Sequence, residues 1–174
     1  MKKETRFLLN ERAVAMAIEP EQQRDRSTLL EMIEFKLASE NYGIESSFVR
    51  EVFSLTDFTQ LPGVPSFVLG IVNVHGQILP VLNLKVFFNL QETGLGEFNK
   101  VIIVCNDQIE FGIVVDEIKG TKMIYAEELL PVPPGVKGIA EKYLKGLTKD
   151  RLIIISADIL LSDKKIIVYE EVNQ

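Results

Sequence analysis

Short apolar runs separated by turn-forming residues recur along most of the chain, and they restrict its fold more than any other feature. Ile33, Phe35 and Leu37 alternate with charged residues, which is the period-two pattern of a half-buried β-strand. Segments 101–104 and 111–115 predict a hairpin across an Asn-Asp-Gln turn. Many short strands without alternating long helices indicate an all-β chain, arranged as barrels or a sandwich.

Residues 70–84 give a clear hairpin prediction. Two apolar runs flank His75-Gly76, and the glycine supplies the backbone freedom that a tight turn requires. Pro80 lies in the returning run and has no N–H to donate to a neighbouring strand. We therefore expect that strand to lie at a sheet edge or to be bulged at the proline.

The first 28 residues differ from the rest of the chain. Apolar residues spaced along one helical face precede Pro20, and a polar stretch follows; the face comprises Leu9, Ala13, Met16 and Ala17. We predict a short helical extension with a polar linker over residues 1–28 and the main domain over residues 29–172. The helix either docks on that domain or binds a partner, and the pattern leaves both open.

The composition excludes several classes of function. The chain is acidic, with a formal net charge of −6 and a sequence pI of about 5.0, whereas phosphate contacts require clustered Lys and Arg, so we expect no nucleic-acid partner. A single cysteine excludes an intramolecular disulfide and favours a reducing compartment. The apolar runs are too short for a signal peptide or a membrane span, so we expect a cytoplasmic protein without membrane insertion.

Residues suited to catalysis or metal binding are sparse. His75 is the only histidine and Cys105 the only cysteine, so the usual cysteine-rich zinc sites cannot be assembled. The sequence contains no G-x-S-x-G nucleophile elbow and no phosphate-binding loop. It therefore predicts no enzyme, no metal site and no cofactor, and the rival interpretation is a small hydrolase that uses His75.

A series of motifs between residues 30 and 165 occurs in a characteristic order. They are Glu34–Leu37, Tyr42–Ile44, Val49–Val52, Leu61–Pro65, Leu69–Leu84, Phe111–Asp116, Tyr143–Leu147 and Arg151–Ile155. Together they resemble the CheW family of chemotaxis coupling proteins, whose domain also occurs at the C-terminus of the CheA kinase. The resemblance implies two small, intertwined SH3-like β-barrels with a hydrophobic seam between them.

The resemblance also implies a function. It indicates a non-catalytic adaptor that couples methyl-accepting chemoreceptors to a CheA-type histidine kinase. One surface would bind the regulatory domain of the kinase, and another would bind the cytoplasmic tip of a receptor. A scaffold of a non-flagellar pathway, such as twitching motility, is the alternative and differs only in its partners. A binder of small ligands in the seam is a further option.

Five residues match family positions at the receptor or kinase interface. Val49 and Glu51 match positions at the receptor-facing groove, and in an extended strand their side chains would share one face. Asn73, His75 and Gly76 match the N-L-R-G turn beside that groove. Histidine here replaces the usual arginine, and imidazole is mostly neutral near pH 7 whereas guanidinium stays charged. Either the partner carries a matching change, or this adaptor serves a different pathway.

Overall fold

A computed structural model describes residues 28–91, 99–133 and 139–171. Within these ranges the chain forms ten strands and three short α-helices. The strands are β1 (Leu29–Leu37), β2 (Glu40–Glu45), β3 (Val49–Ser54), β4 (Val68–Val74), β5 (Gln77–Asn83), β6 (Lys100–Cys105), β7 (Glu110–Val115), β8 (Glu117–Tyr125), β9 (Leu144–Leu147) and β10 (Ile153–Ile155). The helices are α1 (Leu84–Phe87), α2 (Ala157–Leu161) and α3 (Lys164–Glu171). The predicted N-terminal helix lies outside the described residues.

The strands form two five-stranded sheets, which confirms the predicted pair of small barrels. One sheet has the order β3-β6-β7-β5-β4 and is called the central barrel; the other has the order β8-β1-β2-β10-β9 and is called the N–C barrel. The chain starts in the N–C barrel, completes the central barrel and then returns. The two barrels are therefore intertwined, and the return creates a parallel pairing of β2 with β10.

Apolar side chains form three buried clusters. Some strands contribute to two of these clusters, because both of their faces are covered. In β6, Val101 and Ile103 point into the central barrel, whereas Ile102 and Val104 point into a larger core shared by the two barrels. All four side chains are fully buried. A third cluster fills the N–C barrel around Met32. Burial on both faces explains why the sequence of β6 contains an uninterrupted run of apolar residues.

A buried ion pair also joins the two barrels. The Lys85 side chain is only 2 % exposed, and its Nζ donates to Oδ1 of Asp116 at 2.7 Å. The other carboxylate oxygen accepts a hydrogen bond from the backbone N–H of Ala38, also at 2.7 Å. Lys85 belongs to α1, beside the central barrel, and Ala38 to the β1–β2 turn of the N–C barrel. The pair thus fixes the relative position of the two barrels.

The expectation that Pro80 marks a sheet edge or a bulge was wrong. Strand β5 lies between β4 and β7, and Pro80 pairs in regular register with Ile71. The N–H and C=O of Ile71 both bond to Thr59, at 2.9 Å each, so they point away from β5. The Ile71–Pro80 pair is therefore a non-hydrogen-bonded pair of the ladder, where the missing N–H costs nothing. Pairing of β5 with β7 begins only at Val81.

Candidate functional site

The β4–β5 hairpin positions three of the five predicted site residues. His75 and Gly76 form its turn with φ angles of 52° and 86°. Positive φ at both central residues defines the type I′ turn, whose twist matches that of the flanking strands. The side-chain oxygen of Asn73 accepts a hydrogen bond from the backbone N–H of Gly76 at 2.8 Å. This bond fixes the turn, so the imidazole projects from a rigid base.

A β-bulge in β3 separates the two other predicted residues. Val49 pairs with Val104, but Glu51 pairs with Ile103, so Arg50 is an extra residue between them. Because Val104 and Ile103 face opposite sides of the sheet, Val49 and Glu51 do so too. Val49 packs against the shared core. The expectation that Val49 and Glu51 share one face was therefore wrong, and the structure does not bring Val49 to the hairpin.

Strands β3 and β4 are the two outer strands of the central-barrel sheet. Glu51 in β3 and His75, just after β4, meet where these two strands approach each other. Nε2 of His75 lies 3.0 Å from Oε2 of Glu51. The hydrogen bond with His75 holds the pKa of the Glu51 carboxyl below its ordinary value; partial burial opposes this effect, and Arg50 reinforces it. Glu51 is thus ionised at neutral pH. The His75 side chain is 80 % exposed, so the contact lies in water and contributes little to stability.

A polar network surrounds this contact and includes three residues that the sequence analysis did not assign to the site. Arg50 donates to Oε1 of Glu51 at 3.2 Å and to Oε1 of Gln77 at 3.2 Å, and it also pairs with Glu110. Gln77 in turn donates to Glu110 at 3.1 Å. Arg50 and Gln77 lie within the matched motifs Val49–Val52 and Leu69–Leu84, so membership of these motifs was the available signal. Glu110 immediately precedes the matched motif Phe111–Asp116, which is a weaker signal of the same kind.

The gap between β3 and β4 forms a small cleft with a volume of about 280 Å³. Phe53 and Val74 supply apolar walls, and polar groups come from Glu51, Asn73 and His75. Apolar side chains are also exposed on the outward side of this barrel: Ile78 is 56 % exposed and Val52 is 39 % exposed. The hairpin region therefore combines fixed charges with apolar anchors, as protein interfaces do.

A second cleft, of about 480 Å³, lies beside α2 and α3 of the N–C barrel. Asp163 is buried beside it and accepts hydrogen bonds from Tyr143 at 2.5 Å, Lys142 at 2.8 Å and the backbone N–H of Lys165 at 2.8 Å. Burial acts to raise the pKa of the Asp163 carboxyl, but these hydrogen bonds outweigh it and hold the pKa below its ordinary value. The cluster anchors α3 to the barrel.

The groups required by the rival hydrolase interpretation are placed differently. The imidazole of His75 contacts a carboxylate rather than a hydroxyl or a thiol. Burial, together with the charge of Glu110, raises the pKa of Cys105, which opposes formation of a nucleophilic thiolate. Among the described residues there is no group of three or more His, Cys, Asp and Glu that could hold a metal ion. No helix in the described ranges is long and apolar enough to cross a bilayer.

Fold and surface together define a β-barrel interaction domain, and comparison with known proteins identifies its family. The chain belongs to the CheW-like domain family, whose model matches residues 31–165. It is 33% identical over 146 residues to the chemotaxis protein CheW of Klebsiella aerogenes, covering 82% of this chain and 87% of that protein. It is 31% identical over 134 residues to protein FrzA of Myxococcus xanthus, covering 77% and 79%.

A solved structure agrees with these sequence relatives. The scaffolding protein TtCheW of Thermoanaerobacter tengcongensis superposes with a TM-score of 0.69 at 31% sequence identity. The match covers 78% of this chain and 94% of that protein. The predicted family and its two-barrel fold are thereby confirmed.

Proposed function

We propose that this protein is a coupling adaptor of a bacterial chemosensory pathway, which holds a CheA-type histidine kinase and a methyl-accepting receptor in one complex. The observation that carries the proposal is the hairpin surface of the central barrel. There His75, in the turn of fixed geometry, is 80 % exposed, and Ile78, in the adjoining strand β5, is 56 % exposed. Rigid elements with exposed apolar anchors and a charged rim are suited to recognise a helical or β-sheet partner.

Coupling requires a second surface, and the N–C barrel supplies a candidate. Met123 in β8 is 54 % exposed and Leu130 is 45 % exposed, although most apolar side chains of this barrel are buried. The shared core and the Lys85–Asp116 pair hold the two surfaces in a fixed relation. Each partner, the kinase regulatory domain or the receptor tip, would bind one barrel, so that binding of one positions the other. A cytoplasmic location and a non-catalytic role belong to this proposal.

The similarity to FrzA favours a second candidate, an adaptor of a pathway other than flagellar chemotaxis. Such an adaptor would use the same two surfaces for the receptor and kinase of that pathway. The replacement of the family's arginine by His75 is compatible with either assignment. Pull-down of the adaptor with each receptor–kinase set of the same organism discriminates between the two candidates.

The test is calorimetric titration against two fragments from the same organism, the kinase regulatory domain and the receptor tip. Ile78→Asp alters the central barrel and Met123→Asp, its matched control, alters the N–C barrel. We expect each substitution to weaken one fragment more than tenfold and to leave the other within twofold, because a charge is placed in only one apolar contact. Wild-type binding should be saturable near micromolar with a negative heat-capacity change. Absence of binding to both fragments at high concentration would contradict the proposal.

A further inference from the structure

We propose that the cleft between β3 and β4 is a receptacle for one arginine side chain of the partner that binds the central barrel, with Glu51 as its counter-ion. This inference rests on the proposed function, since it names a contact of the same surface. The replacement of the family's usual arginine by His75 has a physical consequence here. Among the described residues, no Arg or Lys lines the cleft, and Arg50 contacts Glu51 without belonging to that lining.

The shape of the cleft suits a single long side chain. Pockets for small molecules occupy about 300–1,000 Å³, and this cleft, at about 280 Å³, lies just below that range. Its walls include Phe53 and Val74, which also pack in the central-barrel core and are therefore fixed. An aliphatic stem fits against Val74, and a planar guanidinium stacks on an aromatic face such as that of Phe53.

The charges of the cleft favour a cation. Glu51 is the carboxylate of its lining, and its two oxygens have room for about four hydrogen bonds in all. Arg50 takes one position at 3.2 Å and His75 another at 3.0 Å. The Arg50 guanidinium contacts Glu51, Gln77 and Glu110, so its positive charge is shared between two carboxylates and does not fully neutralise Glu51. An arriving guanidinium can therefore bond to Glu51 without breaking a buried contact.

The contact with His75 is the one that the partner would replace. The imidazole is 80 % exposed, and a solvent-exposed pair of this kind contributes little to stability, so it is easily replaced. A guanidinium from the partner offers two parallel donors to the same carboxylate, which imidazole cannot. An arginine at position 75 would instead occupy Glu51 from within the protein and close the cleft.

The first experiment uses the free protein and does not depend on any partner. Butylguanidinium chloride is titrated into isotope-labelled protein, and shifts of the Phe53 and Val74 signals are followed by NMR. We expect saturable shifts at these residues, abolished by Glu51→Gln but retained in the control Glu40→Gln, which alters an exposed acid of the N–C barrel. Butylammonium should bind several-fold more weakly. Absence of shifts, or shifts that survive Glu51→Gln, would overturn the inference.

The second experiment uses the complex, with whichever fragment Ile78→Asp weakens. We expect His75→Arg and Glu51→Gln each to weaken that fragment about tenfold, whereas His75→Asn, which leaves the cleft open, should bind within twofold of wild type. Tighter binding by His75→Arg would overturn the inference and leave the adaptor proposal standing. If neither fragment binds the wild type, the adaptor proposal fails, and the butylguanidinium titration still decides whether the cleft accepts a guanidinium.

Discussion

The central barrel and the N–C barrel are similar in size but differ in how the chain builds them. The central barrel comes from one continuous segment, 49–115, and two of its strand pairs are hairpins. The N–C barrel combines segments 29–45 and 117–155. Its pairs β1–β8 and β2–β10 therefore join strands that are separated in the sequence by the whole central-barrel segment. A hairpin between neighbouring strands can be recognised in the sequence from its turn residues and the apolar runs beside them. A pairing between distant segments has no comparable sequence pattern, because it forms only when the rest of the fold brings the strands together.

Two polar clusters, one beside each barrel, differ in their exposure to solvent. In the central barrel the Glu51–His75 contact lies on an exposed hairpin tip. In the N–C barrel the side chain of Asp163 is only 3 % exposed and bonds to groups of its own chain. Under the proposed function, the exposed Glu51–His75 contact would serve recognition, whereas the buried Asp163 cluster holds α3 on the N–C barrel.

The largest effect is expected from a substitution that breaks the core shared by both barrels. Phe111 is fully buried in that core. Phe111→Ala should lower the free energy of unfolding by about 3–5 kcal/mol, because it removes packing and leaves a cavity. Calorimetry and urea unfolding should still show one cooperative transition. Ile103→Ala and Ile154→Ala, each inside one barrel, are the controls and should shift the same transition; two separate transitions would mean that the barrels fold independently.

An intermediate effect is expected at Asp163. Asp163→Asn should lower the free energy of unfolding at pH 7 by about 1.5–3 kcal/mol, because hydrogen bonds to a buried charge are lost. The folded-state pKa of this carboxyl is lowered, so its contribution is present above the unfolded-state pKa. That contribution disappears as the pH falls through the lowered value. Urea unfolding at pH 7 and near pH 3 tests this: the difference between wild type and variant should shrink at acidic pH, and a constant difference would refute it.

The smallest effect is expected at the exposed turn. His75→Asn should change the free energy of unfolding by less than about 0.5 kcal/mol, since the residue is solvated and Asn-Gly is favoured in type I′ turns. Thermal unfolding measures this change, with Asn73→Ala as the comparison because it removes the bond to Gly76. A loss of several kcal/mol in His75→Asn would show that the Glu51 contact supports the barrel rather than recognition.

The same contrast explains how much of the fold could be predicted. The β4–β5 and β6–β7 hairpins were predicted because turn residues lie between two apolar runs. Strand β8 was not predicted, since most of its side chains are exposed and Gly120 interrupts it. Its strand character comes from pairing with β1, far away in the sequence. The bulge at Arg50 likewise results from pairing with β6, and the spacing of apolar and polar residues in β3 does not predict it.

The candidate site could be predicted only in part, and for a related reason. Glu51 in β3 and His75 in the β4–β5 turn are 24 positions apart and meet only when the barrel closes, so spacing alone does not join them. The family resemblance did join them, and it also brought in Val49, which the bulge directs to the opposite side of the sheet. Glu110 joins the site from a third strand and was found only in the structure.

The most direct test of the adaptor account is to mix the protein with the kinase regulatory domain and the receptor tip and to measure the mass of the complex by light scattering. The account predicts a ternary complex that contains all three components, reduced to a binary complex by Ile78→Asp or by Met123→Asp. Formation of two mutually exclusive binary complexes would contradict it, because both partners would then compete for one surface and no coupling would result.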